Sequence, residues 1–295
     1  MAIGGSCLGV SYADNHLFYS VNDPEKKDHL NHIGSIDFNF DVQQAIITGS
    51  ENGFPAIKSS LENLKEKFNC STVKILSPAT EECWTIVPRS VYEDSSEREA
   101  HISLLMHGVQ RSQVETTWIP VSNADYKLLL LRNTETMQGF NYLLGEFTDS
   151  EYVAEFEIGA DWQTHSRASG SFMKVYCQKN YISAASFILG KLRGCTFIRH
   201  ENAADLPYLW NMYADKLSWM NGLHDTIYVY GQHSHSVIES LSTFWDDSGP
   251  VQVMNSLQAM HVDADEKTYG FKLESAYPAI MMSLNKDAEI EDPTS

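Results

Sequence analysis

Residues 6–19, SCLGVSYADNHLFY, and residues 171–184, SFMKVYCQKNYISA, decide how this chain is read. Laid over one another without gaps, at an offset of 165, they place Ser6 on Ser171, Val10 on Val175 and Asn15 on Asn180. Identity is sparse, but the pattern recurs: an apolar strand, a polar turn ending in Asn, and a second apolar strand. In the first copy Ala13-Asp14-Asn15 supplies the turn chemistry. Each copy opens one half of the chain. A period this long does not fit a solenoid and predicts two similar lobes.

After the first copy, residues 33–40, IGSIDFNF, alternate apolar and polar, as a half-buried strand does, and residues 44–48 read as a further short strand. His29 and His32 fall in a polar connection and read as loop residues. A helix begins near Pro55, with Ile57, Leu61, Leu64 and Phe68 at helical spacing. Strands follow over Ser71–Leu76 and Cys83–Val87, then a helix with Ile102, Leu105 and Met106 inward. Residues 114–121 and 126–132 read as strands. The second, Tyr126-Lys127-Leu128-Leu129-Leu130-Leu131, is apolar enough to be central and covered on both faces. Residues 134–147 predict another helix. This alternation of strand and helix favours a mixed sheet.

The polar, small-residue stretch Gln163 to Ser171 is the expected lobe boundary. Beyond the second copy, residues 187–192 predict a third strand, residues 203–220 a helix, Asp225–Tyr230 a strand and Ser236–Trp245 a helix. The expected organisation is a first lobe over 1–165, a second over 166–260 and a C-terminal extension over 261–295. The extension carries Phe271, Leu273, Tyr277, Ile280, Met281, Met282 and Leu284. It either docks on the chain's own core or serves as a partner-binding or dimer element.

Three meandering strands followed by helix, strand, helix and strand, present twice, resemble the actin-like fold, as in sugar kinases, chaperone ATPases and the pilus-assembly PilM-like proteins. More narrowly, the chain is similar to the domain-of-unknown-function family 3822, an uncharacterised Bacteroidetes-type family. The matching features are Trp84-Thr85-Ile86-Val87-Pro88 leading to Tyr92, the Phe172–Leu192 strand pair with Phe187, and Ile227-Tyr228-Val229-Tyr230-Gly231 before a helix with Leu241. This likeness extends over most of residues 6–257. It implies an α/β chain with a duplicated actin-like (ribonuclease H-like) two-lobed fold and mixed sheets.

An actin-like ATPase carries Asp-x-Gly in the first hairpin of each lobe. The carboxylate holds the metal or its water shell, and the glycine admits the phosphates to backbone N–H groups. Here Ser11 and Ala13 occupy those places in the first hairpin, and Tyr176 and Gln178 in the second. The paired glycines of the adenosine turn are reduced to Gly231-Gln232. No G-x-x-x-x-G-K-[ST] or G-x-G-x-x-G is present. The expectation is therefore a degenerate nucleotide cleft in a non-catalytic binding or scaffold protein with a protein partner and no cofactor. The alternative is an ATP-binding, Mg-dependent ATPase with unusual phosphate loops. Its contacts would be Ser11, Asp14, Asn180 and Gly231. A filled cleft, with Tyr12, Tyr176 or Gln178 in it, would favour the first reading.

A third reading, a metal-dependent hydrolase, would need His233 and His235 to converge with a carboxylate. They follow Gly231 at a loop–helix junction and read as solvent-exposed. His261-Val262-Asp263-Ala264-Asp265-Glu266 lacks EF-hand spacing and reads as a solvated acidic loop. The aromatic run Tyr208-Leu209-Trp210-Asn211-Met212-Tyr213 reads mainly as helix core, as does Trp245.

Composition narrows the rest. The chain has 295 residues, 43% hydrophobic and 20% charged, within globular norms. A formal net charge of −18 disfavours binding to nucleic-acid backbones and anionic membranes. No apolar run is long enough to span a bilayer, which needs about 18 residues or more. Five cysteines without a C-x-x-C, and an N-terminus unlike a secretory signal, point to the cytoplasm. Cys7 and Cys177 read as buried core thiols.

Overall fold

The computed structural model describes residues 5–284, apart from 51–52, 107–108, 121–124, 146, 148, 159–165, 167–169 and 266–268. In chain order the strands are β1 Ser6–Ala13, β2 His16–Asn22, β3 His29–Asp37, β4 Cys70–Leu76, β5 Glu82–Pro88, β6 Val114–Pro120, β7 Tyr126–Asn133, β8 Asp149–Val153, β9 Phe172–Cys177, β10 Tyr181–Ile188, β11 Lys191–Arg199, β12 Thr226–Tyr230, β13 Val251–Val253 and β14 Asp263–Ala264. The helices are α1 Val42–Thr48, α2 Gly53–Phe68, α3 Arg89–Glu93, α4 Ser95–Leu105, α5 Thr134–Leu144, α6 Leu206–Ala214, α7 Ser234–Trp245 and α8 Leu273–Ser283.

The repeat organises the sheets. The first sheet runs β14-β3-β2-β1-β4-β8 and the second β11-β10-β9-β12-β13. In each, an antiparallel three-strand meander is continued by parallel strands on the far side of its first strand. β1 pairs antiparallel with β2 and parallel with β4. β9 pairs antiparallel with β10 and parallel with β12. A smaller sheet, β5-β7-β6, is inserted between β4 and β8. Its central strand is the leucine-rich segment, with Leu128, Leu129, Leu130 and Leu131 all buried.

Strand alternation sends side chains to opposite faces of β1. Leu8, Val10 and Tyr12 join the cluster under α1, α2 and α5. On the other face, the backbone at Gly9 lies against α8, so that a Cβ there would sit 2.1 Å from the Ala279 carbonyl oxygen. Ser20 Oγ, from β2, donates to that same carbonyl at 2.8 Å. The C-terminal helix is buried from Glu274 to Ser283. It packs on the first sheet and also meets the second through Tyr277, whose ring lies 4.2 Å from that of Tyr230. One apolar cluster accordingly runs from Phe18, Leu30 and Ile33 through Ala276, Tyr277 and Ile280 to Phe172, Tyr176 and Tyr230. Of the two roles open to the extension, docking on the chain's own core is the one observed.

Several local expectations are corrected. Residues 42–48 form a helix, where a strand over 44–48 was expected. Asp41 caps it by accepting from the Gln44 N–H at 2.8 Å, and Val42, Ala45 and Ile46 share its buried face. His29 and His32 lie in β3, where a loop was expected. His29 Nε2 meets Asp265 Oδ1 at 2.9 Å, and the His32 ring packs against Tyr19 and Phe68. These imidazoles are tolerated in a strand because each has a side-chain partner. Within the expected acidic loop, Asp263–Ala264 pair with β3 as the edge strand β14, while His261, Asp263 and Asp265 are exposed as expected. The third strand of the second meander is Lys191–Arg199, entered through a Leu189-Gly190 turn, where residues 187–192 were expected. Residues 163–165 and 167–169 of the expected lobe boundary lie outside the described residues.

Candidate functional site

The place to examine is where the turns of the two hairpins face one another. β1 delivers Ala13 and Asp14, and β9 delivers Cys177 and Gln178. The loop after β12 delivers Gly231, Gln232 and His233, and the start of α8 delivers Glu274 and Ser275. Four links made by side chains, and one between backbone groups, tie these elements together.

The first joins the hairpins directly. Gln178 is buried, and its Nε2 donates to the Tyr12 carbonyl at 3.2 Å and to the Tyr176 hydroxyl. The second is Asp14 Oδ2 against His233 Nε2 at 2.9 Å. That hydrogen bond holds the Asp14 carboxyl below its ordinary range. Asp14 adopts φ 51°, a left-handed conformation that Asp tolerates better than most residues. The third and fourth come from α8. His235 Nε2 meets Glu274 Oε1 at 3.2 Å, and Ser275 Oγ donates to Gln232 Oε1 at 2.5 Å. The Gly231 N–H also donates to the Glu274 carbonyl at 2.8 Å.

Gly231 is fixed by backbone proximity. Its φ is 105°, and a Cβ would lie 2.3 Å from the Cys177 carbonyl oxygen. Any side chain there would push β12 away from β9. It ends the strand and admits the turn into α7, as its place in the sequence suggests.

Beneath the turns lies a stack of tyrosines. Tyr176 stacks on Tyr230 at 5.3 Å and meets Tyr181 at 6.0 Å. Burial pushes the hydroxyls of Tyr12, Tyr181 and Tyr230 well above the ordinary tyrosine range. Lys174 is buried among them. Its ammonium donates to the Tyr277 hydroxyl at 3.1 Å and lies 4.8 Å from the Tyr230 ring centre. Glu155 is also buried and accepts from the Ser183 and Tyr230 hydroxyls, while desolvation raises its pKa. Neither Lys174 nor Glu155 is singled out by the sequence motifs. The available signal was a lysine inside an otherwise apolar strand, FMKVYC, at the repeat position of Gly9.

The ATP-binding alternative names four positions. Asp14 and the Gly231 loop are brought together, through His233. Ser11 is buried under the hairpin. Asn180 is exposed at the tip of its turn, and its carbonyl accepts from the His200 N–H at 2.9 Å. Of the residues that would mark a filled cleft, Gln178 and Tyr176 lie in it. The Tyr12 side chain packs in the first lobe's own core, and Tyr12 contributes its carbonyl. The hydrolase alternative requires convergence, yet His233 and His235 pair with different carboxylates, Asp14 and Glu274. Among the described residues no group of three His, Cys, Asp or Glu side chains is placed to hold a metal ion. Two cavities of about 680 Å³ and 500 Å³ lie beside the C-terminal segment, lined in common by Asn255, Tyr269 and Leu273, and the smaller one reaches the His235–Glu274 pair.

Comparison with known proteins places the fold. No protein-family model matches the chain, and no curated protein matches it in sequence. Solved structures do match. One is PilM in the PilM–PilN type IV pilus biogenesis complex, at 10% identity and a TM-score of 0.66, covering 94% of this chain and 97% of that one. A second is a Bacteroides thetaiotaomicron protein with an actin-like ATPase fold and unknown function, at 14% identity and a TM-score of 0.52, covering 85% and 91%. A third is the cytoplasmic domain of EpsL, an inner-membrane component of the Vibrio cholerae type II secretion system, at 10% identity and a TM-score of 0.50, covering 95% and 96%. At such identities the likeness concerns the fold alone. This chain has the duplicated, two-lobed actin-like fold. No helix among its described residues is long and apolar enough to cross a membrane.

Proposed function

We propose that this chain is a non-catalytic actin-like protein that works by binding another protein, with an interlobe cleft that no longer takes a nucleotide. The observation that carries the reading is the direct junction of the two hairpins. Gln178 stands where a phosphate-loop glycine would be, and its side chain reaches the Tyr12 carbonyl at 3.2 Å. A phosphate needs that space, and it needs free backbone N–H groups facing it. No carboxylate stands at either Asp-x-Gly position to hold a magnesium ion. Asp14, the nearest acid, is engaged by His233.

Protein binding is the use that remains for such a scaffold. The PilM neighbour, in its complex with PilN, is an example of this fold joined to a protein partner. The net charge of −18 argues against nucleic acid as that partner. The cytoplasm is the compartment we assign, on the five unpatterned cysteines. Kinship with the domain-of-unknown-function family 3822 belongs to the same proposal, on the motifs at Trp84–Pro88, Phe172–Leu192 and Ile227–Gly231.

Thermal unfolding with and without magnesium and ATP tests the reading. A ligand at a hundredfold excess over its dissociation constant stabilises by about 2.7 kcal/mol. The expected result is an unchanged midpoint. A rise that saturates with ATP would return Ser11, Asp14, Asn180 and Gly231 to consideration as nucleotide contacts.

A further inference from the structure

The smaller sheet has an edge that fits itself. β6 pairs with β7 and, among the described residues, with no other strand. In an antiparallel ladder the N–H and C=O of one residue point the same way, and alternate residues point inward and outward. The phase of β6 is set at Val114. Its N–H donates to the Arg111 carbonyl, and its own carbonyl accepts from the Arg111 guanidinium at 2.8 Å. Val114 therefore faces away from β7. Thr116, Trp118 and Pro120 also face outward, while Glu115, Thr117 and Ile119 bond to β7. An outward proline is the placement an edge permits, since it has no N–H to give.

Apart from Pro120 and the Arg111 contact at its two ends, this edge is lightly protected. It is seven residues long, and it has no lysine and a single charge, Glu115. Leu104 and Val109, on the helix and turn that lead into it, are exposed to 74% and 50%.

We propose that two copies of this chain associate through β6, pairing antiparallel about Thr117 so that two three-stranded sheets become one. In that register Thr116 of one copy faces Trp118 of the other, and each such pair exchanges two hydrogen bonds. Pro120, which lacks a donor, falls opposite Val114, whose donor and acceptor are already engaged by Arg111. Shifting the pairing one step toward Pro120 leaves the Thr116 carbonyl without a donor. Shifting it the other way sets Trp118 against the occupied Val114. Glu115 meets Ile119, and the two Glu115 side chains lie about 13 Å apart along the strands, beyond the Debye length of about 8 Å at physiological salt. The central Thr117–Thr117 contact is a favourable cross-strand pair. This inference is independent of the nucleotide reading.

A short edge buries less than the roughly 1,000 Å² of a stable interface, so the dimer is expected to be weak, in the micromolar range or above. Sedimentation equilibrium over a concentration series should show the mass rising from monomer toward dimer. Added salt should strengthen it, because both bodies carry −18. Thr116→Pro removes an outward donor without touching the ladder to β7, and should weaken the dimer tenfold or more. Thr117→Lys and Thr117→Glu place like charges face to face and should each weaken it comparably. An equimolar mixture of the two should associate more tightly than either alone, a result that misfolding cannot imitate. A monomer at every concentration would overturn the proposal. So would a dimer that ignores all three substitutions and their mixing.

Discussion

The two hairpins share a topology and almost nothing of their chemistry, and the C-terminal helix explains why. At the repeat offset, Gly9 of β1 corresponds to Lys174 of β9. The helix lies so close to β1 that a Cβ at Gly9 would be 2.1 Å from the Ala279 carbonyl oxygen. At the equivalent point of the second sheet the same helix is a side chain away, and Lys174 spans the gap to the Tyr277 hydroxyl at 3.1 Å. Ser11 corresponds to Tyr176, Ala13 to Gln178 and Asp14 to Lys179. Gly9 lies against the helix, Lys174 spans to it, and Gln178 reaches across to the Tyr12 carbonyl of the other hairpin. The duplicated halves have diverged into a surface and its filling. On the proposed function, such a cleft would hold its own side chains where a nucleotide-binding relative would hold phosphate.

Substitutions at matched positions test that asymmetry. The largest effect is expected at Gly9→Val, which forces α8 from the first sheet and should cost about 4 kcal/mol or more in urea unfolding. Lys174→Ala should cost about 3 kcal/mol, from the void and the lost hydrogen bond to Tyr277. Lys174→Met keeps the span without the charge and should cost less than about 1.5 kcal/mol. If Met is as harmful as Ala, Lys174 acts through its charge and the spacer interpretation is wrong. Gln178→Ala removes the bond between the hairpins and should cost about 1–2 kcal/mol.

The smallest effect is expected at Asp14→Asn, about 0.5 kcal/mol, because the Asp14–His233 pair is partly exposed. Its pH dependence is more telling. The carboxyl is lowered in the folded chain, so its contribution is present above the ordinary aspartate value of about 3.9. It fades as pH falls below that value and is gone below the lowered native one. Acid unfolding of Asp14→Asn should lack this limb, and an unchanged profile would mean that the pair does not form in solution.

The architecture was legible in the sequence because it rests on pattern. Two strand–turn–strand units, a leucine-rich central strand and two helices with apolar stripes specify two lobes and an insert. The missing Asp-x-Gly residues could be read directly, and so could Tyr176 and Gln178 in their places. What the chain does with the cleft was less legible. The role of α8 depends on contacts between residues more than 250 positions apart, such as Ser20 with Ala279. No local period reveals them. His29 and His32 looked like loop residues because they sit in a polar connection. Their partners, Asp265, Tyr19 and Phe68, are supplied by the tertiary fold. Residues 42–48 were misread because a seven-residue helix shows too little of its period, and its cap at Asp41 was the signal to follow. Gly9 beside Lys174 was visible at the repeat offset, but its meaning needs the helix between them.

The central claim is that the hairpins close on each other and leave no nucleotide site. The most direct measurement is calorimetric titration of the wild-type chain with ATP in magnesium, carried to high nucleotide concentration. Gly231→Trp is unsuitable as a control, because a side chain there collides with the Cys177 carbonyl at 2.3 Å. Gln178→Gly is the informative companion, since it removes the link between the hairpins and restores the small residue of a phosphate loop. The account predicts no saturable heat for the wild type. Saturable binding by the wild type would contradict it, and binding weakened by Asp14→Asn would place the nucleotide in the cleft between the lobes.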